Sequence, residues 1–252
     1  MTRLRPDCRV PARVLPSPNH GERKGGRRPD MLLLHYTGMA DAASAIRRLR
    51  DPAAEVSSHY VVLETGRIVQ LVPEAARAWH AGVSTWAGET DLNSASIGIE
   101  IVNPGHDGGC PDFPAAQVDA VTGLCADIAA RWAITPRRIL GHSDVAPGRK
   151  VDPGERFPWD RLHAGGVGHW VPSAEAGAGP TYRPGDEGPP VQAVQALLRL
   201  YGYGLDVTGV YDPRTATVVA AFQRHFRPGR VDGIADPGTL ATLRDLLRAL
   251  PG

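Results

Sequence analysis

Residues 31–52 read "MLLLHYTGMADAASAIRRLRDP", and the class of the fold turns on how this stretch divides. Its first six residues are an apolar run that reaches His35. A run of that length reads as a buried strand with the histidine at its carboxyl edge. The period then changes. Asp41 is placed to N-cap a helix, Ala42, Ala45, Ile46 and Leu49 fall on one face, and Pro52 ends it. A buried strand followed by an amphipathic helix is the start of an α/β domain.

The same alternation continues outward. "HYVVLETGRIVQLV" (59–72) is two β-rich runs around Thr65-Gly66, a hairpin signal. "SIGIEIV" (96–102) alternates, with Ile97, Ile99 and Ile101 on one side and Gly98, Glu100 and Val102 on the other. Residues 114–132 read as a long helix: Pro114 suits its first turn, and Val118, Val121, Cys125, Ile128 and Trp132 make an apolar stripe. "RRIL" (137–140) reads as a strand leading into a turn-rich loop. Strands and helices therefore mix over residues 1–165, which the sequence assigns to one α/β domain.

Residues 164–190 hold 7 Gly and 5 Pro in 27 positions. That density disfavours regular structure and marks a linker over 166–190. Beyond it, Val191, Val194, Leu197 and Leu198 are spaced as on a helix. "TGVYDPRT" (208–215) and "DGIADPGT" (232–239) repeat at a spacing of 24. Each has a glycine turn, an aspartate N-cap and a proline at the first helical position. Residues 191–252 thus read as a small three-helix domain, near the lower size limit for folding alone.

Composition sets bounds. The 252 residues carry a net charge of +1, with basic residues spread along the chain, so nucleic acid is not an expected partner. Three cysteines, Cys8, Cys110 and Cys125, are too few and too irregular for a disulfide framework. Cys125 belongs on a helix face, and Cys8 lies in a polar, proline-rich start. No stretch approaches a membrane span. The first thirty residues show no apolar signal core, so the expectation is a cytoplasmic monomer, with the periplasm as the alternative.

The chemistry gathers around "GHSDVAPGRKVDPG" (141–154). His142 and Asp152 lie in this loop, and His35 closes a strand. Two imidazoles and a carboxylate are the ligand set of a catalytic zinc site with an open fourth position. An ordinary surface or satisfied core histidine suits His20, His106, His163, His169 and His225. It suits His35 and His142 less, because both end apolar β-type runs. Glu100 is either a solvent-facing glutamate on a half-exposed strand or a general base for a zinc-activated water. Lys150 is either a solvated loop lysine or the cation that neutralises an oxyanion.

"LLLHYT", "SSHYVV", "QLVPEAARAWHAG", "LNSASIGIEIVN" and "GHSDVAPGRKVDPG", taken in order, resemble the zinc-dependent N-acetylmuramoyl-L-alanine amidases of the AmpD/AmiD type. The resemblance covers about residues 15–165. It implies a mixed central β-sheet flanked by helices, the fold of phage lysozyme-like amidases and peptidoglycan recognition proteins. It also implies one zinc per chain held by His35, His142 and Asp152, with Glu100 as base and Lys150 as transition-state stabiliser. Tyr36, Thr37, Trp79, His80, Ala81, Asn93 and Arg149 fall near the family's substrate groove, and His59 reads as a buried structural or groove-wall residue. The tail, with "AAFQRHF" and "VDGIADPGT", resembles the helical peptidoglycan-binding domain of AmiD-like members. The implied reaction is hydrolysis of the amide between a muramoyl lactyl group and L-alanine, on a muropeptide or peptidoglycan. A non-catalytic muropeptide-binding protein of the same fold is the competing class. The tail is expected to dock against the catalytic domain.

Overall fold

The computed structural model describes residues 5–175 and 177–250. Residues 1–4, 176 and 251–252 of the expected units therefore lie outside the described residues. The strands are β1 (Ala12–Val14), β2 (His20–Glu22), β3 (Met31–Tyr36), β4 (Tyr60–Val62), β5 (Ile68–Gln70), β6 (Ala76–Ala78), β7 (Ser96–Ile101) and β8 (Ile139–Gly141). The helices are α1 (Ala42–Arg50), α2 (Leu92–Ala95), α3 (Ala115–Trp132), α4 (His142–Val145), α5 (Trp159–Ala164), α6 (Pro189–Tyr201), α7 (Pro213–Phe226) and α8 (Pro237–Arg248).

Six strands form one mixed sheet in the order β1-β5-β4-β7-β3-β8, and β2 pairs with β6 in a separate ribbon. Only the β4–β5 hairpin is antiparallel within the large sheet. β3 is flanked by two parallel neighbours and buried on both faces, which is why "MLLL" is apolar without alternation. On one face Leu32, Leu34, Ile97, Ile99 and Ile101 pack with Val118, Val121, Cys125 and Ile128 of α3 and Leu162 of α5. The opposite face carries Leu33, His35, Gly98 and Glu100, because β3 and β7 are paired with Leu33 beside Gly98 and His35 beside Glu100.

Several local expectations shift. Pro114 is the N-cap of α3 rather than part of its first turn. Arg137 and Arg138 belong to a 3-10 turn, Pro136–Arg138, and only Ile139–Gly141 extends into the sheet. β1, β2 and β6 are three residues each and gave no periodic signal. Cys8 is buried and joins the apolar cluster that contains Tyr60 and Ile68.

The tail is docked. Met31, Leu33, Trp86, Leu140 and Val145 of the sheet domain share one apolar cluster with Val191, Leu198, Tyr203, Val218, Phe222 and Leu246. The backbone of Gly202 lies directly against the Trp86 indole: a Cβ there would sit 2.5 Å from the ring, and φ is +140°. The glycine- and proline-rich connection ends earlier than expected, because Pro189 and Pro190 form the first turn of α6, where proline is tolerated, and it is pinned to both units. Val167 is buried, the Ala174 amide donates to Thr242 Oγ1, and Tyr182 pairs with Ala235. Deleting residues 166–252 should therefore leave an aggregating or low-melting chain. Stripping five large apolar side chains at about 1.5–3 kcal/mol each amounts to roughly 10 kcal/mol, comparable with the whole stability of an average domain. Soluble yield and thermal melts read this directly, and a melting point unchanged by the deletion would overturn it.

Candidate active site

The site stands on the sheet face shared with the tail, at the carboxyl ends of parallel strands. His35 is the fifth residue of β3, and Glu100 lies beside it on β7. His142 opens the single turn α4 directly after β8. The chain then folds back on itself, with the Arg149 and Lys150 amides both donating to Ala146 O. Ser143 N donates to Asp152 O at 2.8 Å, which returns Asp152 to the start of the turn.

The three expected ligands meet. His35 Nδ1 is 2.9 Å from His142 Nδ1, and each is 3.0 Å from Asp152 Oδ2. All three residues are buried. Their outward-facing nitrogens are assigned as donors from the acceptors they meet, with Arg149 Nη2, which shares Ala81 O, also 3.2 Å from His142 Nε2. His142 Nε2 donates to Ala81 O at 3.0 Å. His35 Nε2 donates to His80 Nδ1 at 3.0 Å, and His80 Nε2 donates in turn to Ser96 Oγ. Both Nδ1 atoms are then bare lone pairs facing each other and a carboxylate oxygen. Three acceptors converging in a buried space repel one another unless a cation lies among them. A triangle of this size accommodates an ion at the roughly 2.0–2.2 Å that zinc makes with nitrogen and oxygen donors, and the hydrogen bonds behind the rings are those that orient metal ligands.

Electrostatics agree. Burial, then the charge of His142, lowers His35 to about 4, so its ring is neutral at ordinary pH. Burial opposes the Asp152 carboxylate, but His142 and His35 outweigh it and hold its pKa below the usual range. Burial first, then the negative charge of Asp152, pushes Glu100 well above the usual carboxyl range, while Lys150 pulls it down. Glu100 Oε2 is buried with no hydrogen-bond partner among the described residues.

A cleft of about 290 Å³ is lined by His35, Glu100, His142, Lys150 and Asp152. Tyr36, Thr37, Trp79 and His80 line it too, as the sequence reading placed them. Ala81, Asn93 and Arg149 do not. Ala81 is fully buried and offers its carbonyl to His142 and to Arg149 Nη2. Asn93 Oδ1 accepts the amides of His80 and Ala81. These three hold the scaffold behind His142: Asn93 Oδ1 and the Arg149 guanidinium bond backbone, and Arg149 Nη2 also reaches His142 Nε2 at 3.2 Å. His59 is likewise structural: Gly98 N donates to its Nδ1, and its Nε2 donates to Ala76 O.

Other contributors had no sequence signal. The α1 side of the cleft is made by Ala45, Arg48 and Leu49, whose helix face read only as core. Asp144, on the turn that carries His142, accepts from Gly141 N, Tyr203 OH and His225 Nδ1 at 2.7–2.8 Å. His225 is stacked on Trp159 at 3.7 Å. Gly98 is a further case, since a Cβ there would meet the His80 ring at 2.6 Å. Gly98→Ala should displace His80, remove the acceptor of His35 Nε2, and weaken metal binding by about 10–100-fold, the usual effect of losing such a partner. Competition against a zinc chelator measures it, and an unchanged affinity would sink the idea.

The family model described as N-acetylmuramoyl-L-alanine amidase matches residues 25–155, and one described as a putative peptidoglycan binding domain matches residues 187–243. The chain is 41% identical over 236 residues to N-acetylmuramoyl-L-alanine amidase AmiD of Escherichia coli, spanning 86% of this chain and 82% of that protein. AmiD solved with anhydro-N-acetylmuramic acid-L-Ala-D-gamma-Glu-L-Lys superposes with a TM-score of 0.75 at 40% identity, covering 90% of this chain and 91% of that one. AmpDh3 of Pseudomonas aeruginosa, solved with anhydromuramic pentapeptide, gives 0.74 at 35% identity, covering 90% and 94%. The 1,6-anhydro-N-acetylmuramyl-L-alanine amidase AmpD of Enterobacter cloacae is 33% identical over 62% of this chain and 90% of its own. Among the described residues no helix is long and apolar enough to cross a membrane.

Proposed function

This chain belongs to the N-acetylmuramoyl-L-alanine amidase family, and on that footing we propose that it hydrolyses the amide between the lactyl group of N-acetylmuramic acid and the L-alanine that opens the stem peptide, in peptidoglycan turnover and recycling. The anhydro sugar is the favoured form, supported by the anhydromuramoyl peptides named in the two similar complexes. The observation that carries the reading is the His35–His142–Asp152 triangle with Glu100 beside it on the same face.

His35, His142 and Asp152 would hold one zinc ion in this reading, and the ion would supply Lewis acidity and make an attacking water more acidic. Glu100 takes a proton from the attacking water and later gives it to the departing amine. A bond forms from the water oxygen to the lactyl carbonyl carbon, the C–N bond breaks, and the products are a carboxylate and a free L-alanyl peptide. The Lys150 ammonium offsets the negative charge that gathers on the carbonyl oxygen. Tyr36, Thr37, Trp79 and His80 bound the substrate, while Ala81, Asn93 and Arg149 position His142 from behind.

Incubation with an anhydromuramoyl tripeptide, followed by mass spectrometry, tests this. A free peptide beginning with L-alanine is expected. Binding without release would give the chain to the non-catalytic recognition class. Running intact sacculi in parallel tests the preference for soluble fragments. A cytoplasmic placement would go with that preference, and recovery of the full-length protein outside the inner membrane on fractionation would overturn the placement.

A further inference from the structure

A second cluster of metal-ligating groups stands beside the cleft, apart from the machinery above. His106 and Cys110 lie four residues apart in "GHDGGC" (105–110), and Glu155 lies three residues after Asp152. One donor atom from each comes within 4.8 Å of the other two. His106 Nε2 is 3.1 Å from Glu155 Oε2 and 3.3 Å from Oε1. The nearest competing cation for that carboxylate is Arg224 Nε at 3.9 Å, too far for a hydrogen bond.

The loop is shaped to bring histidine and thiol together. Gly105 and Gly109 both have positive φ, and the Cys110 amide closes the loop onto Gly105 O at 2.8 Å. Cys110 itself sits at φ +48°, a conformation where glycine or asparagine is the usual occupant. The other ring nitrogen, His106 Nδ1, is 3.0 Å from Tyr36 OH, and Tyr36 lines the catalytic cleft.

We propose that His106, Cys110 and Glu155 form a second zinc site, with water at the fourth position, which ties the 105–110 loop to the loop following Asp152. Imidazole, thiolate and carboxylate together are a zinc donor set, and the sulfur disfavours magnesium and calcium. Partial exposure of the cluster gives the ion a way in. With Nε2 on the metal, His106 Nδ1 carries the proton and donates it to Tyr36 OH, so the ion also fixes the orientation of a cleft-wall residue.

Cobalt(II) separates this site from the catalytic one, because only this one offers sulfur. Metal-stripped protein titrated with cobalt(II) should bind two equivalents and develop a near-ultraviolet sulfur-to-cobalt charge-transfer absorption. Cys110→Ser should lose that absorption and one equivalent while keeping the other. His35→Ala should do the reverse, keeping the absorption. One equivalent without the sulfur band in the parent protein overturns the second site and leaves the catalytic reading intact. A band that survives Cys110→Ser also overturns it, since the sulfur would then belong to Cys8 or Cys125.

Discussion

Glu100→Gln is expected to abolish most turnover while leaving metal content and melting behaviour close to those of the parent. The amide has the shape of the carboxylate but cannot accept the proton of the attacking water. Loss of a positioned general base lowers the rate by about 10²–10⁴-fold. The structure makes the substitution clean. Glu100 Oε2 has no hydrogen-bond partner among the described residues, so few native bonds are lost. The loss should fall on kcat, with KM for an anhydromuropeptide little changed. Near-parental kcat would move the base elsewhere.

Removing the metal should cost still more. Chelation is expected to bring activity to background, and added zinc to restore it. His142→Ala should reproduce the loss and resist rescue, because it deletes one corner of the triangle. The chelated protein should also melt lower. An ion bound only by the folded chain stabilises it by about 4 kcal/mol when present at 1,000 times its dissociation constant. It also relieves the repulsion between two bare imidazole nitrogens and a carboxylate. Active Cys110→Ser protein, which lacks the second cluster's sulfur, without stoichiometric zinc by elemental analysis would refute the assignment. The two experiments divide the labour: Glu100→Gln keeps the metal and loses chemistry, whereas His142→Ala loses both.

The groups that do the proposed chemistry stood out because they interrupt strong patterns, and the family resemblance, rather than those patterns, supplied their roles. His35 closes an apolar run, Glu100 is a charge inside an alternating strand, and His142, Lys150 and Asp152 crowd one turn-rich loop. The strands and helices that carry them follow from the same periodicities, and each Asp-Pro pair of the tail does cap a helix, with Asp212 and Asp236 accepting from Thr215 N and Thr239 N. The supporting layer was not legible, for a physical reason. A glycine in a strand looks the same whether it relieves nothing or makes room for a ring, and Gly98 matters because His80 packs on it. Asp144 owes its role to Tyr203 and His225, 59 and 81 residues away. The orientation of Ala81, Asn93 and Arg149 depends on which backbone atoms they meet, which no local pattern encodes. In the connection, glycine and proline density marked the irregular stretch up to Gly188, but Pro189 and Pro190 open α6 instead, and the density carried no information about packing.

The apolar cluster that runs from Met31 and Leu140 into Phe222 and Leu246 has a thermodynamic consequence. Two sequence modules that share one interior have no seam along which one can melt while the other stays folded. The Asp144 knot, which joins the turn of His142 to Tyr203 and His225, closes the same boundary with buried hydrogen bonds. Calorimetry should therefore record a single transition whose van't Hoff and calorimetric enthalpies agree. Amide protons of α7 and of β3 should exchange with one common opening free energy, making the family boundary in the sequence invisible to cooperativity.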